Sequence, residues 1–219
     1  MINGIHLKIC GLTSLVDAEA ADKIGADYLG FILWPKSPRY VPLDSFRAIA
    51  ARLPLGRKKV AVMVEPGVAD LTHALESGFD AIQIHFKHTT PLSLIHEWSD
   101  ITGAKHLWLA PKLPTSVDVP PEWLPLADAF LLDTFHANTD TYGGTGETGD
   151  WQKFARHRNA HSEKLWILAG GLTPDNVGEA ITESGARFVD VNSGVESKPG
   201  VKDHTKLASF ARAMRQISG

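Results

Sequence analysis

Cysteine is almost missing from this chain: Cys10 is the only one in 219 residues. A single thiol excludes an intrachain disulfide framework and fits a reducing cytoplasm. Long apolar runs are missing too; none approaches the roughly 20 residues needed to cross a bilayer, so no membrane partner is expected. The opening Met1–Gly11 stretch has no long apolar signal region. Excess charge of one sign is absent: 22 Lys and Arg against 25 Asp and Glu leave a net −3. That balance gives no reason to expect nucleic acid or an anionic membrane surface. The ten histidines form no HExxH pattern, and His85 and His88 stand three apart at a strand exit rather than on a helix. No metal site is expected. The first turn, Cys10-Gly11-Leu12-Thr13, lacks the GxGxxG of a dinucleotide fold.

What is present is ordinary for a globular protein: 43% hydrophobic and 21% charged residues. The length suffices for one large core, and residues 1–219 are read as a single domain, although length alone also allows two small ones. Eight short apolar runs read as strands: Ile5–Cys10, Tyr28–Leu33, Lys59–Val64, Ala81–His85, His106–Ala110, Ala129–Asp133, Leu165–Ala169 and Phe188–Val191. Helix-like stretches alternate with them: Leu15–Ile24, Asp44–Leu53, Val68–Ser77, Leu92–Ile101, Trp151–His157, Pro174–Ser184 and His204–Ile217. Thr13 or Ser14 suits an N-cap of the first helix and Gly25 its end. The fifth unit is the weakest, because Pro111, Pro114, Pro120, Pro121 and Pro125 leave little room for a regular helix. Strands alternating with helices imply a parallel sheet covered on both faces. Eight units give about 27 residues each, near the roughly 30 of one βαβ unit. The expected fold class is α/β, an eight-stranded β/α (TIM) barrel, with a six-stranded doubly wound sheet as the rival.

Active sites of such barrels form where the strands end. Cys10 ends strand one and Asp133 ends strand six, three positions apart around an eight-membered ring, so a thiol and a carboxyl would face each other across the mouth. A lone cysteine is most often a small buried hydrophobe. Here Lys8, two residues back, shares its face, and a nearby ammonium would favour the thiolate over a thiol of pKa ~8.5. Asp133 follows Leu131-Leu132, where a carboxylate needs a partner or an exposed mouth; a loop-capping role is the plainer alternative. Gly170-Gly171 follows strand seven and Asn192-Ser193-Gly194 follows strand eight. Those two loops commonly cradle a phosphate with backbone N–H groups, though such glycines also serve plain tight turns. Arg39 lies in the loop Trp34-Pro35-Lys36-Ser37-Pro38-Arg39-Tyr40, stiffened by two prolines, where its guanidinium could hold a carboxylate.

Taken together these segments resemble the phosphoribosylanthranilate isomerase family over nearly the whole chain. The resemblance rests on Lys8–Thr13, on Gly30-Phe31 with Pro35–Tyr40, and on Leu132-Asp133-Thr134 with Gly143-Gly144-Thr145-Gly146 and Asp150-Trp151. It continues through Ala169–Val177, Asp190–Glu196 and Pro199–Asp203. The resemblance implies a cofactor-free Amadori rearrangement of N-(5-phosphoribosyl)anthranilate, a step of tryptophan biosynthesis, with Asp133 as general acid and Cys10 as general base. It implies Arg39 at the anthranilate carboxylate, and Lys8, Gly143, Gly144, Gly170, Gly171, Asn192, Ser193 and Gly194 among the substrate-binding residues. Asp133 must then carry a proton, and partial burial is expected to raise its pKa. The chain departs from the family pattern at Phe86, which follows His85 where glycine is usual and could narrow the mouth, at Glu147 and Gly149 of the glycine loop, and at Asn192. Two other readings stay open: a related phosphoribosyl isomerase of histidine biosynthesis, which would favour aspartates at both strand ends, and a catalytically silent barrel that binds a phosphorylated ligand. The expected partner is a small phosphoribosyl substrate, the expected location the cytoplasm, and the chain is read as a monomer or homodimer.

Overall fold

In the computed structural model, which describes residues 1–53, 56–133 and 150–217, eight parallel strands close into a barrel. They are β1 (His6–Ile9), β2 (Tyr28–Ile32), β3 (Lys58–Val64), β4 (Ala81–Lys87), β5 (Leu107–Lys112), β6 (Ala129–Leu132), β7 (Leu165–Leu168) and β8 (Phe188–Val191). Each pairs with its sequence neighbour, and β8 closes the ring on β1. The order excludes the doubly wound rival, whose sheet would be open. Helices α1 (Leu15–Ile24), α2 (Leu43–Ala50), α3 (Val68–Glu76), α4 (Leu92–Thr102), α5 (Trp151–Ala160), α6 (Val177–Ser184) and α7 (His204–Arg215) wrap the outside. A short antiparallel ribbon, β9 (Glu196–Lys198) and β10 (Val201–Lys202), follows β8.

Local chemistry explains the punctuation. Ser14, rather than Thr13, caps α1 by accepting from the Asp17 N–H, and Gly25 ends it at φ 99, a left-handed conformation that costs glycine little. Asp150 caps α5 and Asp203 caps α7 in the same way. The proline-rich fifth unit forms only a 3-10 helix, Pro121–Leu126, as its missing N–H groups require.

Strand alternation divides the core in two. Outward residues such as Leu7, Ile9, Ile82, Ile84 and Phe86 pack against the helices. Inward residues fill the barrel, where Tyr28, Trp108 and Phe188 close the N-terminal end with ring centroids 4.9–5.6 Å apart. Above that aromatic plug sits a polar layer of Lys8, Gln83 and Asp190, all buried, with the half-buried His85. Buried charge is costly unless paired, so this layer marks where the interior stops serving stability alone. Phe86 faces away from the mouth: it lies edge-on to Trp98 and Trp123 in the outer shell, 5.5 and 5.2 Å between centroids. The expectation that it narrows the mouth is therefore wrong, because it stands one position from the inward-facing His85 and strand alternation turns it outward.

Candidate active site

The C-terminal ends of the strands surround a cavity of about 330 Å³. Cys10, Asp133 and Arg39 all line it, with Gly170, Gly171, Asn192, Ser193 and Gly194. Lys8 lies beneath it, fully buried, and Lys8 Nζ donates to Asp190 Oδ1 at 3.0 Å across the β1–β8 seam. Gly143 and Gly144, expected to bind substrate, lie outside the described residues, as do Thr134, Glu147 and Gly149.

Gly30 makes the Lys8–Cys10 arrangement possible. A Cβ there would stand 3.0 Å from Lys8 Cε and 3.2 Å from the Cys10 sulfur, so β2 must be bare at that point. Cys10 is 4% exposed. Burial pushes its thiol pKa up; Lys8 and, more weakly, Lys202 pull it back down, and Asp190 adds to the rise. Lys8 favours the thiolate as expected, but burial outweighs it and the net is upward. Desolvation at the strand end exceeds the pull of one ammonium that Asp190 already partly neutralises. Burial also works against the charge on Lys8, but Asp190 and Cys10 outweigh it and its pKa rises. The resting pair is a thiol beside an ammonium. Because the chain has one cysteine, ultraviolet absorbance of the thiolate reports this group alone. Its rise is expected at a pH above the ordinary thiol range; a midpoint below that range would contradict the burial argument.

Loops seven and eight form the wall beside Cys10, since β8 pairs with β1. Gly170 and Gly171 adopt φ 91 and 62, and a Cβ on Gly194 would lie 1.9 Å from the Leu172 carbonyl oxygen. The two loops touch backbone to backbone at this point. Gly11, at φ 70, is similarly pressed, with Asn192 Oδ1 2.5 Å from where its Cβ would be.

A charge network seals the rim. Arg39 donates from Nε and Nη2 to the two carboxylate oxygens of Glu196 at 2.9 and 2.7 Å. Lys202 Nζ, fully buried, donates to Glu196 Oε1 at 3.1 Å and to Asn192 Oδ1 at 2.9 Å. Burial opposes the Glu196 charge, yet Arg39 and Lys202 prevail and its pKa is lowered. It thus contributes stability that is present above the unfolded carboxyl range and lost as pH falls through its lowered value. Glu196→Gln leaves Lys202 buried opposite a neutral amide. Breaking a buried pair costs on the order of 3 kcal/mol, so the melting temperature should fall by about 6–12 °C for a chain this size. A calorimetric shift under 2 °C would contradict that role.

Sequence reasoning missed Glu196, Lys202, Asp190 and His85 as site groups. Asp190 carried a signal, a carboxylate inside the apolar Phe188–Val191 run that had to find a buried cation. His85 lines the cavity, lies 2.8 Å from Gln83 Nε2, and has its pKa pushed down to about 3 by burial and by Lys8. Both effects favour the neutral imidazole. Among the described residues, no group of three or more His, Cys, Asp or Glu could hold a metal ion, and no helix is long and apolar enough to cross a membrane.

The N-(5'phosphoribosyl)anthranilate (PRA) isomerase family model matches residues 7–213. The chain is 39% identical over 217 residues to the N-(5'-phosphoribosyl)anthranilate isomerase of Paracoccus denitrificans, covering 97% of this chain and 99% of that one. It superposes on the crystal structure of phosphoribosyl anthranilate isomerase from Thermus thermophilus with a TM-score of 0.80 at 30% identity, covering 98% and 100% of the two chains. A similar match, TM-score 0.73 at 29% identity over 96% and 98%, is to a phosphoribosyl anthranilate isomerase in complex with reduced 1-(o-carboxyphenylamino)-1-deoxyribulose 5-phosphate.

Proposed function

This chain belongs to the phosphoribosylanthranilate isomerase family, and from that premise we propose which of its residues perform the reaction. The enzyme converts N-(5-phosphoribosyl)anthranilate to 1-(2-carboxyphenylamino)-1-deoxyribulose 5-phosphate in tryptophan biosynthesis. The observation that carries the assignment of roles is the shared cavity: Cys10, Asp133, Arg39 and the glycine loops after β7 and β8 all line it.

Asp133, as a carboxylic acid, gives its proton to the furanose ring oxygen while the anthranilate nitrogen pushes electrons into C1′. The C1′–O bond breaks and a protonated Schiff base forms. That cation acidifies the proton on C2′, and Cys10, as thiolate, removes it. The C2′–H electron pair becomes the C1′=C2′ bond while the C1′=N π pair moves onto nitrogen, giving an enolamine. Ketonisation then puts one proton on C1′ and releases one from the C2′ hydroxyl. Proton exchange with solvent returns Cys10 to the thiolate and Asp133 to the carboxylic acid, so atoms and charge balance over the cycle. The thiol must ionise first, and Lys8 and Lys202 are the charges that favour it.

Arg39 keeps the guanidinium edge that Glu196 does not use, Nη1 with the second Nη2 hydrogen, and this edge suits the anthranilate carboxylate. Backbone N–H groups around Gly171, Ser193 and Gly194 receive the phosphate; Asn192, held by Lys202, braces that loop. Gly194→Ala tests the phosphate assignment. Its new methyl cannot coexist with the Leu172 carbonyl, so the loop must shift, and the Michaelis constant should rise at least tenfold, about 1.4 kcal/mol. An unchanged Michaelis constant would remove the phosphate from this loop. A base that must stay a reduced thiol supports a reducing compartment such as the cytoplasm for this chain.

A further inference from the structure

At the opposite, N-terminal end of the barrel lies an open groove of about 680 Å³. Three arginines line it, each from a different element: Arg158 in the last turn of α5, Arg187 just before β8, and Arg215 at the end of α7. No acidic side chain is among its described lining residues, although the chain as a whole carries a net −3. Positive charge is therefore concentrated here against the overall balance.

Helix C-termini gather at this end of the barrel and account for part of it. Each contributes roughly half a negative charge, so the ends of α5, α6 and α7 together offset about half of three guanidinium charges. The groove keeps a net positive charge, with Arg158 Nη2 also donating to Asn159 Oδ1 at 3.0 Å. The walls are also set in advance. Asn3 Nδ2 donates to the carbonyls of Met214, Arg215 and Ile217 at 3.1, 2.9 and 3.3 Å, tying the N-terminal turn to the end of α7. Arg215 Nη2 donates to the Ile24 carbonyl at 3.0 Å, which fixes one corner of its guanidinium. Gly185 lets the Arg158 guanidinium lie close: a Cβ there would be 2.7 Å from Nη2. Ile181 and Ile217 give the groove an apolar side.

We propose that this groove is a second ligand site, for a phosphorylated small molecule. Guanidinium forks pair bidentately with phosphate oxygens, a phosphate dianion matches the residual charge, and the volume lies within the range of about 300–1,000 Å³ usual for metabolite sites. The apolar side takes the body of the ligand. The site is independent of the residues assigned to catalysis.

The test uses the whole chain with its active site first saturated by reduced 1-(o-carboxyphenylamino)-1-deoxyribulose 5-phosphate. Ribose 5-phosphate is then titrated calorimetrically. One further site per chain is expected, weakened at least tenfold in the Arg158→Ala/Arg187→Ala double variant, whose turnover stays within twofold of the wild type. Arg187 is exposed, so Arg187→Ala alone, which the fold tolerates, should weaken the same site at least threefold. Absence of a second site in the wild type, or a second site indifferent to both variants, would overturn the proposal.

Discussion

Cys10→Ala should lower kcat by about 10²–10⁴-fold, the range that one positioned acid–base group contributes. Little else should change. Alanine fits where cysteine stood, Lys8 keeps its 3.0 Å ion pair with Asp190, and the Arg39–Glu196–Lys202 network does not depend on the sulfur. Binding of the reduced product should stay within threefold, since phosphate and carboxylate are held elsewhere in the cavity. The split matters: a kcat loss with preserved affinity marks a group that acts on the reacting carbon rather than one that shapes the pocket. Cys10→Ser sharpens the test, because a hydroxyl keeps the shape but ionises far less readily than a thiol, so its turnover should resemble that of alanine. Near-normal turnover in either variant would remove Cys10 as the base.

Asp133→Asn is expected to be at least as damaging. The amide matches the carboxyl in size, and Asp133 stands one residue beyond β6 with its backbone set by the strand, so the fold should hold. An amide cannot deliver a proton to the furanose oxygen, so the closed substrate should not open and turnover should fall by three orders of magnitude or more, about 4 kcal/mol. The product analogue already has an open chain, and its affinity should change little. The double variant with Cys10→Ala should fall well short of the product of the two single losses, because groups serving one reaction sequence are strongly non-additive. A folded Asn variant that turns over the closed substrate at the wild-type rate would exclude this acid.

The barrel could be read from the chain because strand and helix each have a period, and both were expressed almost without interruption. Alternation in β1 and β4 separated inward Lys8, Cys10 and His85 from outward Ile9 and Phe86. The same alternation shows why Phe86 does not narrow the mouth: its proximity to His85 along the chain is opposition across the sheet. The strand-end rule brought Cys10, Asp133, Arg39 and the two late glycine loops to one cavity. What stayed hidden depends on depth and on distant partners. The thiol's upward shift needs the burial of Cys10, which no neighbour in the sequence reveals. Glu196 grips Arg39 across 157 positions, and Lys202 reaches Glu196 through the bend at Gly200, whose N–H also donates to Glu196 Oε1 at 3.2 Å. The steric need for glycine at 30 and 194 likewise arises only when separate loops meet.

The central claim, that Cys10 and Asp133 together carry the rearrangement, is tested most directly by following the fluorescence of N-(5-phosphoribosyl)anthranilate as it is consumed. The wild-type chain should extinguish it with formation of the ribulose product, and the Cys10→Ala/Asp133→Asn chain, folded to the same melting temperature within a few degrees, should do so no faster than buffer alone. Fluorescence lost at comparable rates with both chains would contradict the account.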